Sequence, residues 1–172
     1  MRLRKKNNFF GLDVAKLPGV DAVADFDKDG LPMKSGSVEE INANHVMEHM
    51  SDLKPIMREI HRVLKPGGTV VIRVPHCFSP IAFGDSTHKR FFTHDTFSQF
   101  DRGHSRSYYY DFHFEFLRSR MQLYRNWHRP NWFGRLLEWL VNRNQRKGER
   151  FLKIIPYKDW EVETILRKTE DS

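Results

Sequence analysis

Residues 61–75 read HRVLKPGGTVVIRVP, a charged helix end that runs through Lys-Pro-Gly-Gly straight into β-branched residues. Upstream, Leu53, Ile56, Met57, Ile60, Val63 and Leu64 fall at steps of three and four, as one buried helix face requires. Ser51 and Asp52 are N-cap residues, so the spacing predicts a helix over roughly 53–65. Pro66 keeps Lys65 out of the α region, and Gly67 can take the positive φ of a helix C-cap. The run TVVIRVP then predicts a strand covered on both faces. A helix that turns tightly into such a strand is the repeating unit of an open α/β sheet.

The remaining elements agree with that class. FFGLDV (9–14) and GVDAVADF (19–26) read as short strands ending near Asp13 and Asp25, and VEEINANHV (38–46) as a third. A short helix starting at Thr93 or Asp95 carries Phe97 and Phe100. YYYDFHFEFLRSRMQL (108–123) alternates at Phe112, Phe114 and Phe116, the mark of an antiparallel or edge strand. NWFGRLLEWLVNRNQRK puts Trp132, Phe133, Leu136, Leu137, Leu140 and Val141 on one side of an amphipathic helix, and WEVETILRK (160–168) closes as a strand. The expectation is one domain over 1–172, with a basic helical insertion at about 124–153.

Composition bounds the function. With 172 residues, 39% apolar and 30% charged, the chain can bury a core and is not a disordered tract. Cys77 is the single cysteine, which excludes an internal disulfide and fits a reducing compartment. The basic start MRLRKKNNFF has no apolar stretch behind it, and no run is long enough to span a bilayer, so a cytoplasmic location is expected. Residues 117–153 carry ten Lys or Arg against two Glu, a net of +8 that exceeds the +7 of the whole chain. The basicity therefore belongs to one segment.

ADFDKDGLPMKSGSVEEINANHVMEHM followed by IMREIHRVLKPGGTVVIRVP resembles the class I S-adenosylmethionine-dependent methyltransferases, in particular the small type-11 group. The resemblance covers roughly residues 9–100 and includes GDSTHKRFFT (84–93) as the loop after the family's fifth strand. It implies a Rossmann-like methyltransferase fold whose mixed sheet ends in antiparallel strands. It also implies S-adenosylmethionine as cofactor. Asp13 would then accept the ribose hydroxyls, Asp25 and Phe26 would flank the adenine, and Asn44 and His45 would line the methionine side. All five would lie at the carboxyl ends of strands, where open sheets place ligands. Asp at a strand end is also common turn chemistry, which is the structural alternative for Asp13 and Asp25.

The sequence departs from the family at its start. No G-x-G occurs in the chain, so the glycine-rich loop that lets backbone amides approach the cofactor is missing, and the match starts at the family's second strand. In the family the first strand lies in the middle of the sheet. MRLRKKNN is too polar for a doubly buried central strand, so the expectation is a fold truncated at that strand. The sheet would then be collapsed, completed by a homodimer or partner chain, or rearranged at its first few residues, with cofactor binding weakened or lost.

His88 is the first candidate for a catalytic base and His76 the second, because both follow the fifth strand in a segment that hangs over the ligand crevice. HVMEH (45–49) has the spacing of an inverted zinc-peptidase motif, but it straddles a strand end and a loop, so no metal ligation is expected. Residues 118–153 interleave arginine with Tyr124, Trp127, Trp132 and Trp139. That suits nucleic acid, an anionic membrane surface, or a solvated helix on the sheet. Two functions remain: methyl transfer to an unidentified oxygen or nitrogen acceptor, or a non-catalytic methyltransferase-like scaffold.

Overall fold

A computed structural model describes residues 1–5, 8–123, 132–152 and 159–169. Its strands are β1 (Arg2–Lys5), β2 (Asn8–Asp13), β3 (Ala22–Val23), β4 (Val38–Asn44), β5 (Leu64–Pro75), β6 (Phe114–Leu123) and β7 (Trp160–Lys168). They form one seven-stranded sheet in the order β3-β2-β1-β4-β5-β7-β6. β2–β3 and β4–β5 are parallel, whereas β5–β7 and β6–β7 are antiparallel. The expected α/β architecture with antiparallel strands at the C-terminal edge is present.

The centre of the sheet corrects the expectation of a missing strand. β1 lies between β2 and β4 and runs antiparallel to both, with Leu3 opposite Phe10 on one side and Ile41 on the other. The sheet is neither collapsed nor open at that place. The polarity objection fails because only one face of β1 is buried. Met1 and Leu3 enter the core, while Arg2 and Arg4 point to the other face, where Arg4 pairs with Glu40 at 3.0 Å. That face continues across β4 and β5 as half-buried Glu40, Asn42, Thr69, Val71 and Arg73. β5 is therefore fully covered on one side only, not on both. A strand in that setting needs only every second residue apolar.

The covered face packs on helix α1 (Leu53–Val63), whose Ile56, Met57 and Ile60 share one core with Leu3, Ile41, Val70 and Ile72. Asp52 caps this helix by accepting the Lys54 amide at 3.1 Å. The helix stops sooner than expected, because Leu64 is already extended and pairs with Val38. Gly67 does adopt a positive φ of 73°, but inside a bulge between Leu64 and Thr69 instead of at a helix C-cap. Phe92, Phe97 and Phe100 extend the core under the loop after β5, with Phe97 and Phe100 on a 3-10 helix over Thr96–Phe100.

The basic segment forms two helices, α3 (Trp132–Arg143) and α4 (Gln145–Leu152), following the short α2 (Pro80–Gly84). A second apolar cluster joins Leu137, Val141 and Leu152 to Met121, Leu123 and Trp160. The predicted apolar side of α3 is thus only partly used, since Trp132, Phe133, Leu136 and Leu140 are exposed. Tyr124 and Trp127, and the start of the expected insertion, lie outside the described residues.

Candidate functional site

The carboxyl ends of β2, β3 and β4 meet along one edge of the sheet. The Ala24 amide donates to the Asp13 carbonyl at 2.9 Å, which sets Asp13 and Asp25 on neighbouring strand ends. Asp13 Oδ1 accepts the Ala15 amide at 3.1 Å. Asp25 Oδ1 accepts the Asp27 amide at 3.1 Å, and its Oδ2 lies 2.9 Å from Lys28 Nζ, an ammonium that holds the carboxyl below its usual range. Phe26 packs half-buried against the main core. Asn44, the last residue of β4, accepts from Arg73 Nη1 at 2.9 Å. Both aspartates thus do the turn work that competes with the cofactor reading, each through at least one oxygen.

His45 follows β4 in the left-handed region, with φ of 49°. This kink directs its ring between two buried carboxylates: Nδ1 lies 3.0 Å from Glu48 Oε1, and Nε2 lies 2.6 Å from Glu161 Oε1 on β7. Burial disfavours the imidazolium, but the bonds to Glu161 and Glu48 outweigh it, and the pKa is pushed up to about 9. His45 is therefore a cation at neutral pH that donates from both nitrogens.

Glu48 is the hub of this corner. Its carbonyl accepts the amides of Lys89 (2.7 Å) and Arg90 (3.2 Å), which fastens the loop after β5 over the 3-10 turn Met47–His49. That fastening brings in His88, whose Nδ1 lies 3.1 Å from the Ala82 carbonyl and whose Nε2 stands 4.0 Å from Glu48 Oε1 and 3.9 Å from Asp85 Oδ2. The His49 ring packs edge-on against His88 at 4.9 Å, and its Nδ1 meets Thr87 Oγ1 at 2.9 Å. His45 and His88, expected on separate grounds, thus converge on Glu48, which the sequence offered only within the HVMEH motif. The available signal was HVMEH itself, taken with a histidine about forty positions on.

His76 lies elsewhere. It is fully buried at the end of β5, where Nδ1 accepts the Phe78 amide at 3.1 Å and Nε2 lies 3.1 Å from Glu149 Oε1 on α4. With both nitrogens occupied and no solvent contact, its contacts are those of a structural histidine.

Residues 5–72 match the family model of the methyltransferase domain. No curated protein sequence matches the chain. Among solved structures, one similar fold is a complex between the Haloferax volcanii Trm112 methyltransferase activator and a protein designated a methyltransferase. Its TM-score is 0.57 at 18% identity, covering 94% of this chain and 72% of that one. A SAM-dependent methyltransferase from Archaeoglobus fulgidus has a TM-score of 0.57 at 14% identity, covering 92% and 75%. The 4+2 cyclase SpnF has a TM-score of 0.52 at 20% identity, covering 89% of this chain and 58% of the cyclase. At these identities the likeness is one of fold, and the cyclase shows that this fold hosts more than one activity.

The chain has a Rossmann-like α/β fold of the kind found in these methyltransferases, and residues 5–72 match the methyltransferase-domain model.

The residues fit the cofactor unevenly. Asp13 and Asp25, expected on the adenosine side, stand at adjoining strand ends, and Phe26 follows Asp25 against the core. The reversed direction of β1 carries its carboxyl end to the opposite edge of the sheet, so no glycine turn follows it beside the carboxyl ends of β2 and β4. Among the described residues, no helix is long and apolar enough to cross a membrane.

Proposed function

We propose that this chain transfers a methyl group from S-adenosylmethionine to an oxygen or nitrogen acceptor in the cytoplasm, as a single domain carrying its basic helices as an insertion. The observation that supports this reading most is the sheet order, with Asp13 and Asp25 on neighbouring strand ends inside the segment that matches the family. When bound, the cofactor supplies an electrophilic methyl group. The chain would hold the ribose through Asp13 and the adenine through Asp25 and Phe26, with Asn44 and His45 toward the methionine side. A carboxylate suits the ribose because it offers lone pairs to two adjacent hydroxyls. His88, whose Nε2 lies 4.0 Å from Glu48 Oε1 and 3.9 Å from Asp85 Oδ2, would take up the acceptor's proton directly or through a group it holds. Isothermal titration with S-adenosylmethionine tests the reading: micromolar binding that Asp13→Asn weakens at least about tenfold is expected, one such step being 1.4 kcal/mol.

A second reading, a non-catalytic methyltransferase-like partner protein, draws on the antiparallel β1 and the absent glycine turn. Absence of binding up to millimolar cofactor would select it. A methyltransferase neighbour bound to an activator gives a precedent for partnership within the fold. The sheet itself no longer asks for a second copy, because β1 fills the gap that called for one. Where the basic helices bind a partner, exposed Trp132, Phe133, Leu136 and Trp139 among arginines favour an anionic lipid surface over nucleic acid.

A further inference from the structure

We propose that Glu48, His49 and His88 form a binding site for one divalent transition-metal ion of the zinc type, in the segments that follow β4 and β5. One ligand atom from each of the three lies within 4.8 Å of the other two. Ligand atoms on a tetrahedral zinc stand about 3.3 Å apart, so closure needs only rotamer-scale shifts. Two histidines and one carboxylate make a set that holds such ions while leaving positions for an exchangeable oxygen ligand.

Three features beyond proximity support the assignment. Glu48 is fully buried, and its Oε2 has no hydrogen-bond partner, an unfavourable state unless something occupies it. Both histidines are oriented through their other nitrogen: His88 Nδ1 by the Ala82 carbonyl and His49 Nδ1 by Thr87 Oγ1. That outer arrangement fixes which nitrogen faces an ion and raises its basicity. Finally, the two segments that carry the ligands are joined by the Lys89 and Arg90 amides on the Glu48 carbonyl, so the geometry is set before any ion arrives. Asp85 Oδ2, 3.9 Å from His88 Nε2, is a fourth donor within reach. His45, which the HVMEH spacing would make a ligand, is instead committed to Glu48 and Glu161.

The site does not depend on methyl transfer. Were both properties present, an ion here would hold an acceptor oxygen near the crevice, and His88 would act as its ligand instead of as the base.

The test uses the full chain, stripped with chelator and dialysed, titrated with Zn2+ in competition with a chromophoric chelator. One ion per chain at micromolar affinity or tighter is expected. His49→Ala and His88→Ala should each weaken it about 100-fold or more, while His104→Ala, away from the cluster, leaves it unchanged. Co2+ should give visible ligand-field bands that both variants abolish. Circular dichroism of the variants checks that they remain folded. Thr87→Val, which removes only the bond to His49, should weaken binding about tenfold without unfolding. No stoichiometric binding, or binding indifferent to both histidines, overturns the assignment.

Discussion

His76 Nε2, just past the end of β5, and Glu149 Oε1 on α4 stand 3.1 Å apart, and the same oxygen accepts the His94 amide at 2.7 Å. One carboxylate thereby ties the basic helices to the sheet and to the loop that follows it. Glu149→Gln should cost about 1–3 kcal/mol at neutral pH, read from urea denaturation, because it weakens bonds to a buried ring. Unchanged stability would show that α4 is not anchored there.

The same carboxylate gives a pH dependence. Burial disfavours the Glu149 charge, but bonds from His76 and His94 outweigh it and hold the carboxyl well below its usual range. A depressed folded pKa means that the stabilisation is complete above the unfolded pKa of about 4.3 and fades as pH falls below it. The gap between wild type and Glu149→Gln should therefore be constant from pH 7 to about 5 and shrink below about 4.3. A gap that stays level at pH 3 contradicts this.

Much of the frame was legible in the sequence. The period of α1, its Asp52 cap and the strand behind it needed only local chemistry, and the alternation at Phe114 and Phe116 located the edge strand β6, which ends as expected at Leu123 but starts six residues later than expected, after a 3-10 turn at Ser107–Tyr109. β1 was not legible, since its two inward residues, Met1 and Leu3, suffice only where the opposite face stays open, and that depends on what the rest of the chain leaves uncovered. The corner at Glu48 escaped for a similar reason. His49 and His88 meet through backbone bonds that no spacing rule encodes.

Leu137 and Leu140 lie three residues apart on α3 with different surroundings, 8% and 48% exposed. Leu137→Ala should cost about 2–5 kcal/mol, and Leu140→Ala no more than about 0.5. If the basic helices engage anionic vesicles, Leu140→Ala and Trp139→Ala should reduce sedimentation with them at unchanged Tm. Equal destabilisation by the two leucine changes would mean that α3 is buried all round.

Gly67 and Gly11 separate backbone strain from steric conflict. A Cβ at Gly67 meets nothing within 4 Å, so Gly67→Ala should cost only the left-handed penalty, about 1–2 kcal/mol. At Gly11 it would stand 2.3 Å from the Gly19 carbonyl oxygen, a backbone atom that cannot yield cheaply. Gly11→Ala should therefore lower Tm more than Gly67→Ala does, and the reverse order would refute the close approach of the β2–β3 connection.

A reversed strand at the middle of the sheet changes how the protein can assemble. Lys5 faces Asn8, so β1 and β2 meet as neighbours in sequence. A parallel strand in the same slot would require a crossover of a dozen residues or more. β1 and β2 can thus zip together on the order of microseconds and dock on β4 as a unit. The sheet's midline becomes a product of short-range folding, and the slow search falls to β7, which must find β5 from about ninety residues away.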